Sequence, residues 1–218
     1  MKTEIKCIIF DLDGTLINTI TDLGNSCNYL IDKYSFDAKW NEEDYKRFVG
    51  NGMKKLVERA FKGTLSEDEL CRRLAEFKEH YNKHYLDNTL PYNGIKEQLE
   101  ILKSKGIKTA IVTNKAEESA IHIVESLFGK GTFDVIIGQR DNLPVKPAPD
   151  GVYIALKEMG FTKSDALYFG DSNVDMQTAK NSGIKAIGVT WGFRSREELE
   201  KEGADVIIDS PSEIEKLI

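Results

Sequence analysis

Two aspartates, Asp11 and Asp13, stand directly behind a short apolar run, Ile5 to Phe10, in the stretch Asp11-Leu12-Asp13-Gly14-Thr15-Leu16. Two positions apart, their carboxylates point into one crevice where the chain leaves a strand. Carboxylates this close repel, and they stay ionised only where a cation or strong donors compensate, which makes a bound divalent metal physically reasonable. A hard-oxygen donor set favours magnesium. A second acidic cluster, Gly170-Asp171-Ser172-Asn173-Val174-Asp175, again follows an apolar run. With the two strand ends side by side, Asp171 completes the carboxylate set and Asp175 supports the loop from behind. Thr113-Asn114-Lys115 offers a hydroxyl, an amide and backbone donors at an expected helix start, which suits a phosphate oxygen. Lys146, in Val145-Lys146-Pro147-Ala148-Pro149, stands between stiff flanking residues and delivers a positive charge with little freedom to wander.

The elements that must position these residues are legible as Ile- and Val-rich runs: Ile5 to Phe10, Ile107 to Val112, Phe133 to Ile137, Ala166 to Phe169, Lys185 to Val189 and Asp205 to Ile208. Helical patterns lie between the later runs, at Gly94 to Ser104, Glu117 to Phe128, Val152 to Met159 and Val174 to Asn181, and several stop at a glycine. This alternation predicts an α/β fold: a doubly wound parallel sheet joined by right-handed crossovers. The stretch 17–88 breaks the rhythm, with amphipathic segments around Leu23 to Tyr34, Lys54 to Phe61 and Glu67 to Leu86 and no evident strand. The expected organisation is therefore a core of 1–16 and 89–218 carrying a helical insertion of 17–88. Such an insertion rises from the carboxyl edge of the sheet, where open α/β folds bind ligands, and can act as a lid.

Composition narrows the function classes. The chain has 218 residues, 40% apolar and 30% charged, as an ordinary globular protein has. The formal net charge is -6, and no Lys- or Arg-rich run follows a phosphate backbone, which argues against nucleic acid as a partner. No apolar run reaches the length of a membrane span, and the opening residues lack a signal-peptide core. Cys7, Cys27 and Cys71 are odd in number and far apart, so neither a disulfide framework nor a zinc site is indicated and a reducing cytoplasm fits best.

Taken together, D-L-D-G-T-L, V-T-N, K-P-x-P and G-D-S-x-x-D, in this order and each just past a predicted strand or in a loop, resemble the four motifs of the haloacid dehalogenase superfamily of phosphohydrolases. The insertion after the first motif looks like the cap of the phosphoglycolate phosphatase group. The segments Val49-Gly50-Asn51-Gly52-Met53, Val57-Glu58-Arg59-Ala60 and Leu90-Pro91-Tyr92-Asn93-Gly94-Ile95 are similar to that group's pattern. The resemblance implies a Rossmann-like core with a small helical cap and a magnesium-dependent phosphatase acting through an aspartyl-phosphate. It makes Asp11 the nucleophile and a metal ligand, and Asp13 the acid and base, which also reaches the metal through its backbone carbonyl. Asp171 becomes the third protein ligand, while Thr113, Asn114 and Lys146 hold the phosphoryl oxygens. A general acid aids expulsion of an alkoxide by about 10²–10⁴-fold, whereas expelling halide needs none, so Asp13 argues for phosphate chemistry over carbon–halogen cleavage.

The implied substrate is a small phosphorylated metabolite, with 2-phosphoglycolate leading. Pyrophosphate, a sugar phosphate or a phosphomutase reaction are the alternatives, and a non-catalytic phospho-ligand or protein binder is the reading of a different class. Monomer and homodimer stay open. Each feature also has a plainer reading: acidic pairs at turns are common helix caps, and Lys146 alone is a solvated lysine. Gly50-Asn51-Gly52 is either a loop ahead of a helix or an anion seat in which Asn51 and Gly52 meet the substrate's carboxylate. His80 and His84, four apart on one helical face, invite a metal reading, but without H-E-x-x-H or a third ligand a surface or packing role is favoured. Trp191, Phe193 and Arg194, after the run ending at Val189, either touch the site or cover the sheet edge, and the structural role is favoured.

Overall fold

The first apolar run forms β1 (Cys7–Phe10), in which all four residues are buried, as a strand covered on both faces requires. After β2 (Ile17–Asn18) come α1 (Ile20–Lys33), α2 (Glu42–Phe48), α3 (Met53–Ala60) and α4 (Glu67–His84), and then β3 (Leu90–Pro91). The chain continues through α5 (Ile95–Ser104), β4 (Lys108–Ala116), α6 (Glu117–Phe128), β5 (Val135–Gln139), α7 (Asp150–Met159) and β6 (Ala166–Gly170). It finishes with α8 (Asn173–Ser182), β7 (Lys185–Val189), α9 (Arg196–Lys201), β8 (Val206–Ile208) and a closing 3-10 turn. A computed structural model describes residues 4–218. The chain divides into two units, one of Met1–Ile17 with Pro91–Ile218 and one of Asn18–Leu90.

In the first unit, six parallel strands run in the order β5-β4-β1-β6-β7-β8. Side chains alternate across the sheet. Cys7, Ile9, Ala110, Val112, Ala166 and Tyr168 pack with Val152, Ala155 and Met176 of α7 and α8 on one face. From the opposite parity, Phe10 and Phe169 meet with ring centroids 5.2 Å apart. Truncating a fully buried residue such as Ile9 to alanine costs about 2–5 kcal/mol, because the close-packed layers cannot collapse around the gap.

The register of this sheet is what gathers the site. Phe10 of β1 pairs with Ile111 of β4 on one side and with Phe169 of β6 on the other. Asp11 and Asp171, which follow β1 and β6, and Thr113 near the end of β4 are therefore brought to one edge of the sheet.

The second unit is helical. Ile20, Leu23, Cys27, Leu30 and Ile31 of α1 are buried, as are Leu56, Val57 and Ala60 of α3 and Phe77 and Tyr81 of α4. One buried carboxylate joins its ends: Asp22 accepts from the Asn88 backbone N–H at 3.0 Å, the Asn88 amide at 2.8 Å, and the Thr89 N–H and hydroxyl at 2.9 and 2.8 Å. Against the expectation of a strand-free insertion, Ile17–Asn18 is a strand, and it pairs with Leu90–Pro91 as a two-residue ribbon. Two helices lie outside the expected set, α2 and α9, each with a single buried residue, Tyr45 and Leu199.

Candidate active site

Asp11 follows β1 directly, and its backbone N–H still donates to Phe169 of β6 at 2.9 Å, so the neighbouring strand fixes where its carboxylate starts. Lys146 reaches the same place from the loop before α7. Its ammonium lies 2.7 Å from Asp11 Oδ1 and 2.7 Å from Asp175 Oδ1, with the Tyr168 hydroxyl at 3.3 Å. Burial disfavours the charge on Lys146, but Asp11 and Asp175 outweigh it and hold the ammonium well above its usual range. The approach to Asp11 is an ion pair without hydrogen-bond direction: Asp11 Oδ1 is buried and has no hydrogen-bond partner. Burial first, and then the charge of Asp175, push the Asp11 carboxyl up to about 7.

Asp171 sits at the end of β6 and is held from two sides. Thr15 donates to Oδ1 at 3.2 Å, and the Phe193 backbone N–H donates to Oδ2 at 2.8 Å. Glycine is needed around it. Gly14, with φ of 89°, and Gly192 approach so closely that a Cβ at either would collide with the Asp171 carboxylate. Burial, Asp175 and Asp11 raise the Asp171 carboxyl well above the usual carboxylate range, against the pull of the Phe193 N–H and Arg194.

Asp175 is completely buried and its oxygens are fully engaged. Oδ1 takes Lys146 at 2.7 Å and the Tyr168 hydroxyl at 3.2 Å; Oδ2 takes the Ser172 N–H at 3.1 Å and the Ser172 hydroxyl at 2.6 Å. Ser172 returns a bond to the Asp175 N–H at the start of α8, a reciprocal capping box. A carboxylate so occupied acts chiefly by fixing Lys146 and the loop.

Asp11, Asp171 and Asp175 each present a carboxylate oxygen within 4.8 Å of the other two. With Asp13, four carboxylates face the ammonium groups of Lys146 and Lys115 and the charge of Arg194, a formal excess of one negative charge. A divalent cation offsets that excess, and the Asp11 carboxylate, ion-paired to Lys146 at 2.7 Å, offers it a ligand. The all-oxygen donors fit a hard ion. Asp11 and Asp171 are the side chains that would hold it.

The structure redistributes several expected tasks. Thr113-Asn114-Lys115 is not at a helix start: β4 runs on to Ala116, and α6 begins at Glu117. The Thr113 hydroxyl accepts the Lys115 N–H at 3.2 Å, which leaves its own proton to donate. Asn114 turns its amide to the backbone of Lys146, accepting from its N–H at 2.8 Å and donating to its carbonyl at 3.2 Å. It clamps the lysine loop. Lys115, given no task in the sequence reading, grips both oxygens of Asp13 at 2.9 and 3.0 Å with a side chain only 2% exposed.

The loop after β7 also joins the site instead of only covering the sheet edge. Beside the Phe193 contact, the Trp191 indole donates to the Thr15 carbonyl at 3.0 Å. Tyr168 and Thr15 are the other contributors that motif reading passes over. The signals that could have found them were the polar tip on a β6 core position and the hydroxyl inside the first motif.

In the helical unit, Asn51 Oδ1 accepts from Arg59 at 2.8 Å, and Arg59 also reaches the Phe48 carbonyl at 2.6 Å. Gly52, with φ of 83°, precedes α3 and leaves its first turn without a side-chain cap. No described helix is long and apolar enough to cross a membrane.

Comparison with known proteins agrees with this geometry. The family model for haloacid dehalogenase-like hydrolases matches residues 8–189. A phosphoglycolate phosphatase of Aquifex aeolicus is 32% identical, with 98% of this chain and 97% of the relative covered. One of Mesorhizobium japonicum is 34% identical over 92% of this chain and 89% of its own. Among solved structures, a protein of Lactobacillus delbrueckii subsp. bulgaricus, provisionally assigned as a phosphoglycolate phosphatase, superposes with a TM-score of 0.92 at 35% identity, covering 99% of this chain and 98% of that one. Its sequence and its fold thus place the chain in the haloacid dehalogenase-like hydrolases, as a phosphatase resembling the phosphoglycolate phosphatase group.

Proposed function

We propose that this phosphatase is magnesium-dependent and hydrolyses a small anionic phosphate monoester, 2-phosphoglycolate first among the candidates, through a phosphoester formed on Asp11. The observation that carries the proposal is the buried Asp11 carboxylate, ion-paired to Lys146 at 2.7 Å and with an oxygen within 4.8 Å of an Asp171 oxygen. Magnesium, held by Asp11, Asp171 and the Asp13 backbone carbonyl, would supply charge neutralisation and alignment of the phosphoryl group.

The chain's own residues account for the rest. An Asp11 oxygen attacks phosphorus as the bond to the leaving alcohol breaks, and Asp13 gives that alcohol its proton. Water then attacks the same phosphorus, Asp13 takes a proton from it, and Asp11 leaves as a carboxylate. Lys115 pins Asp13 at both oxygens, so the acid–base group has one orientation in both steps. Lys146 and the free proton of Thr113 steady the phosphoryl oxygens, and Asn114 acts through the Lys146 backbone. Asn51 and Gly52 are the proposed contacts for the substrate's carboxylate, supported by the uncapped first turn of α3.

The test is a panel of phosphate esters at fixed magnesium, with Asp11→Asn as control. Phosphoglycolate should give the highest kcat/KM, and the variant should lose turnover by more than about 10³-fold. Faster turnover of pyrophosphate or a sugar phosphate would reassign the substrate; activity surviving Asp11→Asn would overturn the nucleophile.

A further inference from the structure

Trp191 lies in the short loop between β7 and α9, where the proposed reaction gives it no task, yet that loop is anchored along its whole length. Thr190 donates its N–H to the Ile208 carbonyl of β8 at 3.1 Å and its hydroxyl to Asp209 at 2.7 Å. The Trp191 indole donates to the Thr15 carbonyl at 3.0 Å, the Phe193 N–H donates to Asp171 Oδ2 at 2.8 Å, and Ser195 caps α9. Between the two middle anchors, Gly192 passes so near Asp171 and the Gly14 carbonyl that a Cβ there would overlap both.

In the sheet, β6 lies between β1 and β7. The bond from Trp191, past the end of β7, to Thr15, in the loop after β1, therefore spans the end of β6, where Asp171 stands. Thr15 in turn donates its hydroxyl to Asp171 Oδ1 at 3.2 Å. A closed ring results: Trp191 holds Thr15, Thr15 holds one carboxylate oxygen, Phe193 holds the other, and the backbone returns from Phe193 to Trp191. An ionised carboxylate has about four lone-pair sites on its two oxygens, and the ring occupies one on each, so it orients the group and leaves lone pairs for a cation. The Thr15 hydroxyl rotates, so its backbone position decides whether its bond to Asp171 is made. Its own N–H reaches the Leu12 carbonyl at 3.3 Å, which leaves the indole bond as the shorter tether on that backbone.

We propose that Trp191 is a positioning residue for the metal centre: by tying the loop after β1 to the loop after β7 across Asp171, it holds that carboxylate in the orientation magnesium requires. This role rests on the magnesium reading above and adds to it a residue outside the four motifs. Magnesium demands near-ideal octahedral geometry, whereas calcium accepts varied geometry at longer distances. Loosening the ring therefore penalises magnesium more than calcium, a split that a general loss of stability does not produce.

The experiment titrates Mg2+ and, separately, Ca2+ into the full chain by calorimetry, for the unaltered protein, Trp191→Phe, Thr15→Val and the double variant. Thr15→Val removes a direct partner of a metal ligand and should weaken Mg2+ by about 10–100-fold, and Trp191→Phe, one bond further out, by about three- to tenfold. Ca2+ should weaken by less than about twofold in Trp191→Phe. Because Trp191 acts through Thr15, the double variant should match Thr15→Val to within about twofold. A bond that favours magnesium binding must itself be strengthened by magnesium, so saturating Mg2+ should slow solvent exchange of the Trp191 indole N–H, read by NMR in the unaltered chain. The chain has two tryptophans, and Trp40→Phe identifies the signal, so this measurement decides even where Trp191→Phe fails to fold. Unchanged Mg2+ binding in Trp191→Phe, equal losses for the two ions, losses that multiply in the double variant, or exchange indifferent to Mg2+ would each overturn the role of Trp191 and leave the magnesium reading standing. An unaltered chain that binds no Mg2+ overturns both.

Discussion

Raising the pH from about 6 to about 8 is expected to tighten magnesium binding by about tenfold. The Asp11 carboxyl is pushed up to about 7 by burial and by Asp175. A group with that value is ionised in roughly one molecule in eleven at the lower pH and in roughly ten of eleven at the higher. The cation needs the ionised form, so Asp11 alone gives the factor of ten, and Asp171, raised for the same reasons, adds in the same direction. The effect on stability has the opposite sign in the cation-free protein. Both carboxyls are raised above the unfolded value of about 4, so the favourable contribution of each is complete only below it; for Asp11 it is lost as pH climbs through about 7, and Asp171 acts in the same direction. For Asp11 the loss is on the order of a few kcal/mol. Calorimetric magnesium titrations at the two pH values measure the affinity, and melting curves with and without the ion measure the stability. The cation-free Tm should fall from acid to neutral pH while the rise produced by magnesium grows. A pH-independent Kd, or an Asp11→Asn variant that keeps the full slope, would refute the reasoning.

Asp13→Asn should depress turnover of alkyl phosphates by about 10²–10⁴-fold and that of aryl phosphates with good leaving groups far less; equal losses would remove the acid role. Tyr168→Phe deletes a buried hydroxyl between Lys146 and Asp175 whose partners still hold each other. We expect a cost of about 1 kcal/mol, read as a Tm lower by about 2–4 °C, with KM rising more than kcat falls. Gly192→Ala drives a methyl into Asp171 Cβ and the Gly14 carbonyl oxygen, neither of which gives way cheaply, so it should both lower Tm and weaken magnesium binding measured by calorimetry.

The sheet was readable because parallel strands buried on both faces must be runs of Ile and Val, and β7 occupies Lys185–Val189 as the run predicts. Motifs placed after such runs then converge through register, which is why Asp11 and Asp171 meet. The end of β4 differs from the expected helix start because Thr113-Asn114-Lys115 is polar, and polarity ordinarily signals a loop; here the strand runs on past its apolar part. Lys115 could not be assigned from sequence, since its partner Asp13 is 102 positions away and nothing local in either residue names the other. The same holds for Phe193 and Asp171, joined by a backbone N–H that no residue type advertises. The α2 and α9 helices escaped because one buried residue in six or seven leaves no periodic stripe to find.

The Asp22 knot has a consequence for how such proteins diversify. Because a single carboxylate ties the foot of α1 to Asn88 and Thr89, the intervening helices hang from one closed stem. Lengthening, shortening or exchanging what lies beyond that stem leaves its two ends tied to each other, so the helical segment is free to vary and to be inherited as a module of its own.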